Sequence, residues 1–157
     1  MRTGLGIDSH RFVLGRPLLL GGVVVPHTHG LAGHSDADVL AHAITDAILG
    51  AASMGDIGTH FPDTDPEFKD ADSLVLLREI VRRVGESGWR VEHVDATVML
   101  ERPKLAPHRE AIMARLTEAV GASVHVKATT GEGMGFVGRE EGVAALAVAT
   151  LTSTSHA

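Results

Sequence analysis

The stretch 5-LGIDSHRF-12 sets Asp8 and His10 two residues apart. Residues i and i+2 of a β-strand project from the same face. The carboxylate and the imidazole therefore stand side by side where the apolar run of Leu5 and Ile7 ends. Both are good zinc ligands, and a catalytic zinc takes three protein ligands and keeps one position open. A hydrogen-bonded Asp–His pair at a strand end is the plainer reading of the same spacing. His42, within 34-HSDADVLAHAITDAILGA-51, is the candidate third ligand. Asp46, four residues on, is placed to take the imidazole's other N–H, as carboxylates often do behind metal-bound histidines. The two would equally make an i,i+4 pair on a solvated helix face.

Two further stretches suit phosphate. His34-Ser35 precedes the helix, and backbone N–H groups and the dipole at a helix start favour anions; Ser35 would also serve as a simple cap. Thr129-Thr130-Gly131-Glu132 leads into a glycine-rich loop, 129-TTGEGMGF-136. Hydroxyls, free N–H groups and one carboxylate there suit a phosphate with a hard cation, though the same residues make an ordinary flexible turn. His27-x-His29 has ligand-like spacing but sits in a turn with no carboxylate beside it in sequence, and reads as surface.

Placing these groups requires a scaffold. Residues 2–8 read as a strand, and 17-PLLLGGVVVP-26 as strand, glycine kink, strand. The stretch 27–30 reads as a turn. Val39, Leu40, Ala43, Ile44, Ala47 and Ile48 recur at helical spacing and predict a helix capped by Ser35 or Asp36, with Gly50 near its end. Asp38, His42 and Asp46 fall on its other side. Residues 53–73 form a long acidic loop holding Ile57, Phe61 and Phe68; loops beyond about 12–15 residues in a compact domain are usually functional or disordered. A helix follows over 73–88, a strand over 89–100, a turn over 101–108, a helix from Pro107 to Gly121 and a strand over 123–129. The tail 142–153 suits helix or strand. The alternation predicts an α/β or α+β domain.

Composition narrows the classes. The chain has 157 residues, which fits one domain, 1–157. It has no cysteine, so any metal ligand must be His, Asp or Glu, with backbone or water. The formal charge of −6 argues against nucleic acid as a partner. No run approaches the roughly 18 apolar residues of a membrane span, and no charged-then-apolar leader opens the chain. A soluble, cytoplasmic protein is the expectation.

The segments GIDSHRF, GGVVVP, GLAGHSDADVLAHAITDAILGAASMGDIG, HFPDTDPEFKDADS, VDATVMLERPKLAPH and VKATTGEGMGFVGREEG follow one another along nearly the whole chain. With them the chain closely resembles the 2-C-methyl-D-erythritol 2,4-cyclodiphosphate synthase family of the non-mevalonate isoprenoid pathway. The resemblance implies that Asp8, His10 and His42 hold one Zn²⁺ per subunit, whose open position takes a β-phosphate oxygen. It implies that Glu132 holds a Mg²⁺ or Mn²⁺ bridging the α- and β-phosphates. The substrate the resemblance implies is 4-diphosphocytidyl-2-C-methyl-D-erythritol 2-phosphate, whose 2-phosphate would attack the β-phosphorus so that CMP leaves, a lyase reaction. His34 and Thr130 match residues that stabilise the transition state, and Ser35 a substrate contact beside them.

The other substrate contacts carry over by position. Asp56, Ile57, Gly58, Phe61, Pro62, Asp63, Thr64 and Asp65 match the methylerythritol side. Leu100, Glu101, Arg102, Pro103, Lys104, Leu105 and Ala106 match the cytidine pocket, and Thr129, Gly131 and Glu132 match further substrate contacts. The implied fold is α+β, a mixed β-sheet covered by helices on one face, with three sheets packed around a threefold axis in a homotrimer. Each active site then lies between neighbours, and the tail 142–153 becomes a strand. The axis encloses an apolar channel that sometimes holds an isoprenoid diphosphate, with Phe136 and Arg139 at its mouth. The chain departs from the family at Gly131 and Gly133, where a polar residue and a lysine are frequent, and at Ala106, smaller than the usual Leu or Ile. These departures imply a more mobile loop and weaker nucleotide binding. No cytidylyltransferase segment accompanies the domain, so one activity is expected.

Two alternatives share these residues. A metal-dependent phosphohydrolase would release inorganic phosphate and hold two metals about 3.5–4 Å apart on protein ligands. A structural zinc trimer binding isoprenoid diphosphates would close its zinc with a fourth ligand.

Overall fold

The computed structural model describes residues 1–154. The last three residues of the expected domain 1–157 lie outside the described residues. Strand β1 runs over Arg2–Leu14, well past the expected end at residue 8. Asp8 and His10 therefore sit within the strand rather than at its end. Its alternation is also inverted: Leu5 and Ile7 point outward, 60% and 58% exposed, and Gly4, Gly6, Asp8 and His10 face the other way. The glycines are there because helix α1, Val39–Ala52, lies directly on them. A Cβ at Gly4 would meet the Ala47 carbonyl at 2.1 Å.

Helix α1 is buried on nearly every side; only His42, Asp46 and Gly50 are less covered. It starts later than expected because Ala37 takes a left-handed conformation, φ +57°. Asp38 is the N-cap, accepting from the Ala41 N–H at 3.0 Å. It is fully buried, not solvated. The same carboxylate accepts from the Gly21 and Gly22 N–H groups at 3.0 and 2.7 Å. Those glycines, at φ +58° and +74°, form a two-residue turn between β2, Leu18–Leu20, and β3, Val23–Val25. The expected kink is thus a hairpin, whose turn needs positive φ at both positions. The stretch expected as a turn also contains strand β4, His29–Leu31, paired with Phe12–Leu14.

The acidic loop carries one short helix, α2, Ile57–His60, and a 3₁₀ turn at Pro66–Phe68. Helix α3 spans Ser73–Glu86 and packs on α1. Strand β5 is Trp89–Met99, helix α4 Arg109–Val120, and strand β6 Ser123–Thr129. A one-turn helix, α5, Gly135–Gly138, precedes β7, Gly142–Ser153, so the ambiguous tail is a strand. The main sheet has the order β4-β1-β7-β5-β6; only β5 and β6 are parallel, joined through α4. This is an α+β architecture with a mixed sheet. Register sets Leu5 opposite Val148 and Ile7 opposite Leu146 on the outer face.

Candidate active site

Strand β1 and helix α1 bring three ligand atoms together. Asp8 Oδ2 lies 2.8 Å from His10 Nε2 and 3.1 Å from His42 Nδ1, and the two nitrogens are 3.3 Å apart. The outer side of each ring is fixed as well. His10 Nδ1 lies 2.7 Å from the Ala32 carbonyl, which can only accept, so Nδ1 carries the hydrogen. The inner Nε2 of a neutral ring is then a bare lone pair facing a carboxylate. His42 Nε2 meets Ser73 Oγ at 2.7 Å and Ser35 Oγ at 3.2 Å. Ligand atoms converging in this way can hold a cation between them, and two imidazoles with one carboxylate suit zinc. The donor set fits the implied metal. Among the described residues no other group of three ligands converges in this way.

Protons show the same pull. Without a metal, hydrogens on the inner ring nitrogens take its place: burial opposes charge on Asp8, but the hydrogen bonds it then accepts from His10 and His42 outweigh burial and hold the carboxyl at about 2. Burial likewise opposes charge on His10, and the Asp8 carboxylate overcomes it, raising the imidazole.

A cavity of about 500 Å³ opens over this cluster. It gathers His34, Ser35, Ile57, Gly58, Phe61, Pro62 and Asp63 with the three ligands. His34 Nε2 donates to the Asp65 carbonyl at 3.1 Å, while the Asp65 side chain caps Glu67. Asp56 caps α2 through Thr59. Phe61 and Phe68 pack edge to face at 5.2 Å, so the acidic loop has its own small apolar base. Asp46 does not take the His42 N–H as expected. Its carboxylate accepts from the Ile57 N–H at 2.8 Å and so anchors the loop to α1. Burial raises its carboxyl, with the Ile57 bond opposing.

Sequence reasoning missed three residues. Ser73 takes the place behind His42 assigned to Asp46, and Asp36 holds Ser73. Arg16 donates to the Gly33 carbonyl at 2.8 Å and the Ser35 carbonyl at 2.6 Å, bracketing His34. No local pattern signals these partners, because each contact spans from 17 to 37 residues.

The remaining predicted residues lie elsewhere. Leu100, Glu101, Pro103, Lys104, Leu105, Ala106, Thr129 and Thr130 line a second cavity of about 200 Å³. Glu101 accepts from the Gly131 and Gly133 N–H groups at 2.8 and 3.3 Å. Gly131 also lacks room for a side chain: a Cβ there would meet Gly138 N at 2.5 Å. Glu132 is exposed at φ +53°. Arg102 pairs with Glu140, and Arg139 with Glu141; Phe136 is 44% exposed. The two cavities share no residue, and Glu132 is not with the metal cluster. A cavity of about 710 Å³ is a third place, lined by Arg11, His27, His29, Arg102 and Glu140. Glu140 gives His27 a nearby carboxylate that the sequence did not show.

Comparison with known proteins follows the same lines. The model of the YgbB family matches residues 1–152. The 2-C-methyl-D-erythritol 2,4-cyclodiphosphate synthase of Salinibacter ruber is 61% identical over 156 residues, covering 98% of this chain and 99% of that one. The bifunctional IspDF from Campylobacter jejuni superimposes with a TM-score of 0.93 at 46% identity, over 97% of this chain and 42% of that chain. A 2C-methyl-D-erythritol-2,4-cyclodiphosphate synthase in its CDP-bound form gives 0.88 at 40% identity, over 96% and 100%. On the family match and the 61% identity together, the chain belongs to the YgbB family.

Proposed function

We propose that the protein is a 2-C-methyl-D-erythritol 2,4-cyclodiphosphate synthase acting on 4-diphosphocytidyl-2-C-methyl-D-erythritol 2-phosphate. The observation that carries this is the convergence of Asp8, His10 and His42 at the floor of a cavity walled by His34, Ser35 and the acidic loop. The names of its full-length relatives support it. An oxygen of the 2-phosphate forms a bond to the β-phosphorus, and the bond from that phosphorus to the CMP oxygen breaks. CMP leaves with the electron pair. Both reacting groups belong to one substrate, so positioning supplies much of the rate. When bound, Zn²⁺ at Asp8, His10 and His42 and Mg²⁺ or Mn²⁺ at Glu132 supply positive charge to the phosphate oxygens. His34 and Thr130 donate hydrogen bonds where charge develops. Backbone groups of the loop, held by Asp46 and Asp56, orient the methylerythritol hydroxyls. The segment 100–106 takes the cytidine.

The separation of the two cavities supports a site made by two copies, the metal half from one and the nucleotide half from its neighbour. The outward Leu5, Ile7 and Val148 supply an apolar face for a homotrimer around a threefold axis. Phe136 and Arg139 would then flank an axial channel for an isoprenoid diphosphate. No helix among the described residues is long and apolar enough to cross a membrane; we place the protein in the cytoplasm as one domain.

Phosphorus NMR of the protein with this substrate and Mg²⁺ tests the reading. Cyclic diphosphate and CMP, abolished by a chelator, are expected. Inorganic phosphate as the product would overturn the cyclase in favour of a hydrolase.

A further inference from the structure

We propose that Ser73, backed by Asp36, is a positioning residue that fixes which nitrogen of His42 faces the metal. The inference rests on the metal reading above and goes on from it to residues outside the ligand set. Three donors meet the Asp36 carboxylate. Oδ2 accepts the Ser73 N–H at 3.0 Å. Oδ1 accepts the Asp38 N–H at 3.1 Å and the Ser73 hydroxyl. A carboxylate has only acceptors, and a hydroxyl has one hydrogen. The Ser73 hydrogen therefore goes to Asp36, and Ser73 Oγ can only accept from the imidazole 2.7 Å away. Ser73 is 1% exposed, so bulk water does not compete for either bond. The hydrogen of His42 is held on Nε2, and the lone pair on Nδ1 is left facing Asp8 and His10. Ser35 Oγ, at 3.2 Å, is a second and longer acceptor for the same N–H.

The anchor also serves the phosphate side. The Asp36 N–H donates to the Ala71 carbonyl at 3.1 Å, and the Asp70 N–H to the His34 carbonyl at 2.9 Å. The segment carrying His34 and the start of α3 are thereby bolted together, with His42 hung from the same bolt. A metal ligand and a phosphate-side residue thus share one support. Ser73 would otherwise be an ordinary first residue of α3, where Asp72 already caps the helix. That bland role predicts lost stability with metal affinity unchanged.

Zinc affinity, measured by competition with a chromogenic chelator, separates the two. Ser73→Ala is expected to weaken zinc binding by roughly 10–100-fold, the usual effect of losing a partner behind a metal ligand. Ser73→Thr, which keeps the hydroxyl, is expected to recover most of it. A long-range proton–nitrogen spectrum of the zinc-loaded, unaltered protein is expected to show the His42 hydrogen on Nε2. Unchanged affinity in Ser73→Ala, or a hydrogen on Nδ1 in the unaltered protein, would overturn the proposal. Failure of the unaltered protein to bind zinc at all would overturn the metal reading itself.

Discussion

A Cβ added at Gly6 would lie 1.8 Å from the carbonyl oxygen of Ala43, the residue after His42. Strand and helix therefore meet backbone to backbone just where the ligands come from. Ala43, Ala47 and Ala51 on α1 continue this contact along Gly6 and Gly4. The close approach is what allows a helix imidazole to reach two ligands on the strand. Gly6→Ala should push α1 outward, costing about 1–3 kcal/mol as overpacking does, and should lower zinc occupancy. Thermal melting with metal analysis of the purified variant checks both; a variant with full zinc content would show that the spacing has slack.

His42→Ala removes one of three ligands without touching the outward face of the sheet. Zinc should be lost, and turnover should fall by more than about 100-fold, the scale of losing one charge-stabilising group. The proposed trimer should keep its mass in size-exclusion light scattering. Dissociation on this substitution would mean that the metal is structural.

Arg16 holds the carbonyls on both sides of His34. Charged hydrogen bonds of this kind are worth about 1.5–3 kcal/mol when well formed, and less where solvent reaches them. Arg16→Ala should reduce kcat about tenfold by loosening His34, with zinc affinity unchanged. Steady-state kinetics beside a zinc titration would reveal it; equal loss in both would place Arg16 with the metal ligands instead.

The protons at the ligand cluster set a pH signature for the metal-free protein. Asp8 is held at about 2 by His10 and His42 against the effect of burial. A depressed carboxyl stabilises the fold above its ordinary value near 4 and loses that contribution as pH falls towards 2. His10 is raised by Asp8 against burial. A raised imidazole stabilises below its ordinary value near 6.5 and loses the contribution as pH rises through its folded value. The pair therefore stabilises most from roughly pH 4 to 6.5. Urea unfolding of metal-stripped protein and Asp8→Asn at about pH 3, 5.5 and 8 should show the largest difference at the middle value. A difference that does not vary with pH would refute the assignment.

Much of this is legible in the sequence. The period of two placed Asp8 and His10 on one face, and the helix carrying His42 followed from its apolar spacing. The failures have physical causes. Leu5 and Ile7 look like core, yet Gly4 and Gly6 are the inward residues, because α1 needs their missing side chains. Asp46 has the right spacing for His42, but an N–H at Ile57 captures it. The two strands around Gly21-Gly22 are legible, but their pairing as a hairpin is not, and β4 is hidden in an apparent turn, because each strand spans only three residues. Ser73, Asp36 and Arg16 act across long sequence separations, which no local pattern encodes. The separation of the two cavities is likewise a property of the folded chain.

That separation supplies the most direct test. If the proposed site is shared between copies, His42→Ala damages its metal half and Thr130→Ala its nucleotide half, so each variant alone should be nearly inactive. Co-expressed, they should assemble some sites in which an intact metal half faces an intact nucleotide half. Random assortment of two chains in a ring predicts about a quarter of the sites restored. Recovery of activity near that fraction is what a site shared between copies predicts. Mixed assemblies as inactive as either variant alone would contradict it and return the whole reaction to a single chain.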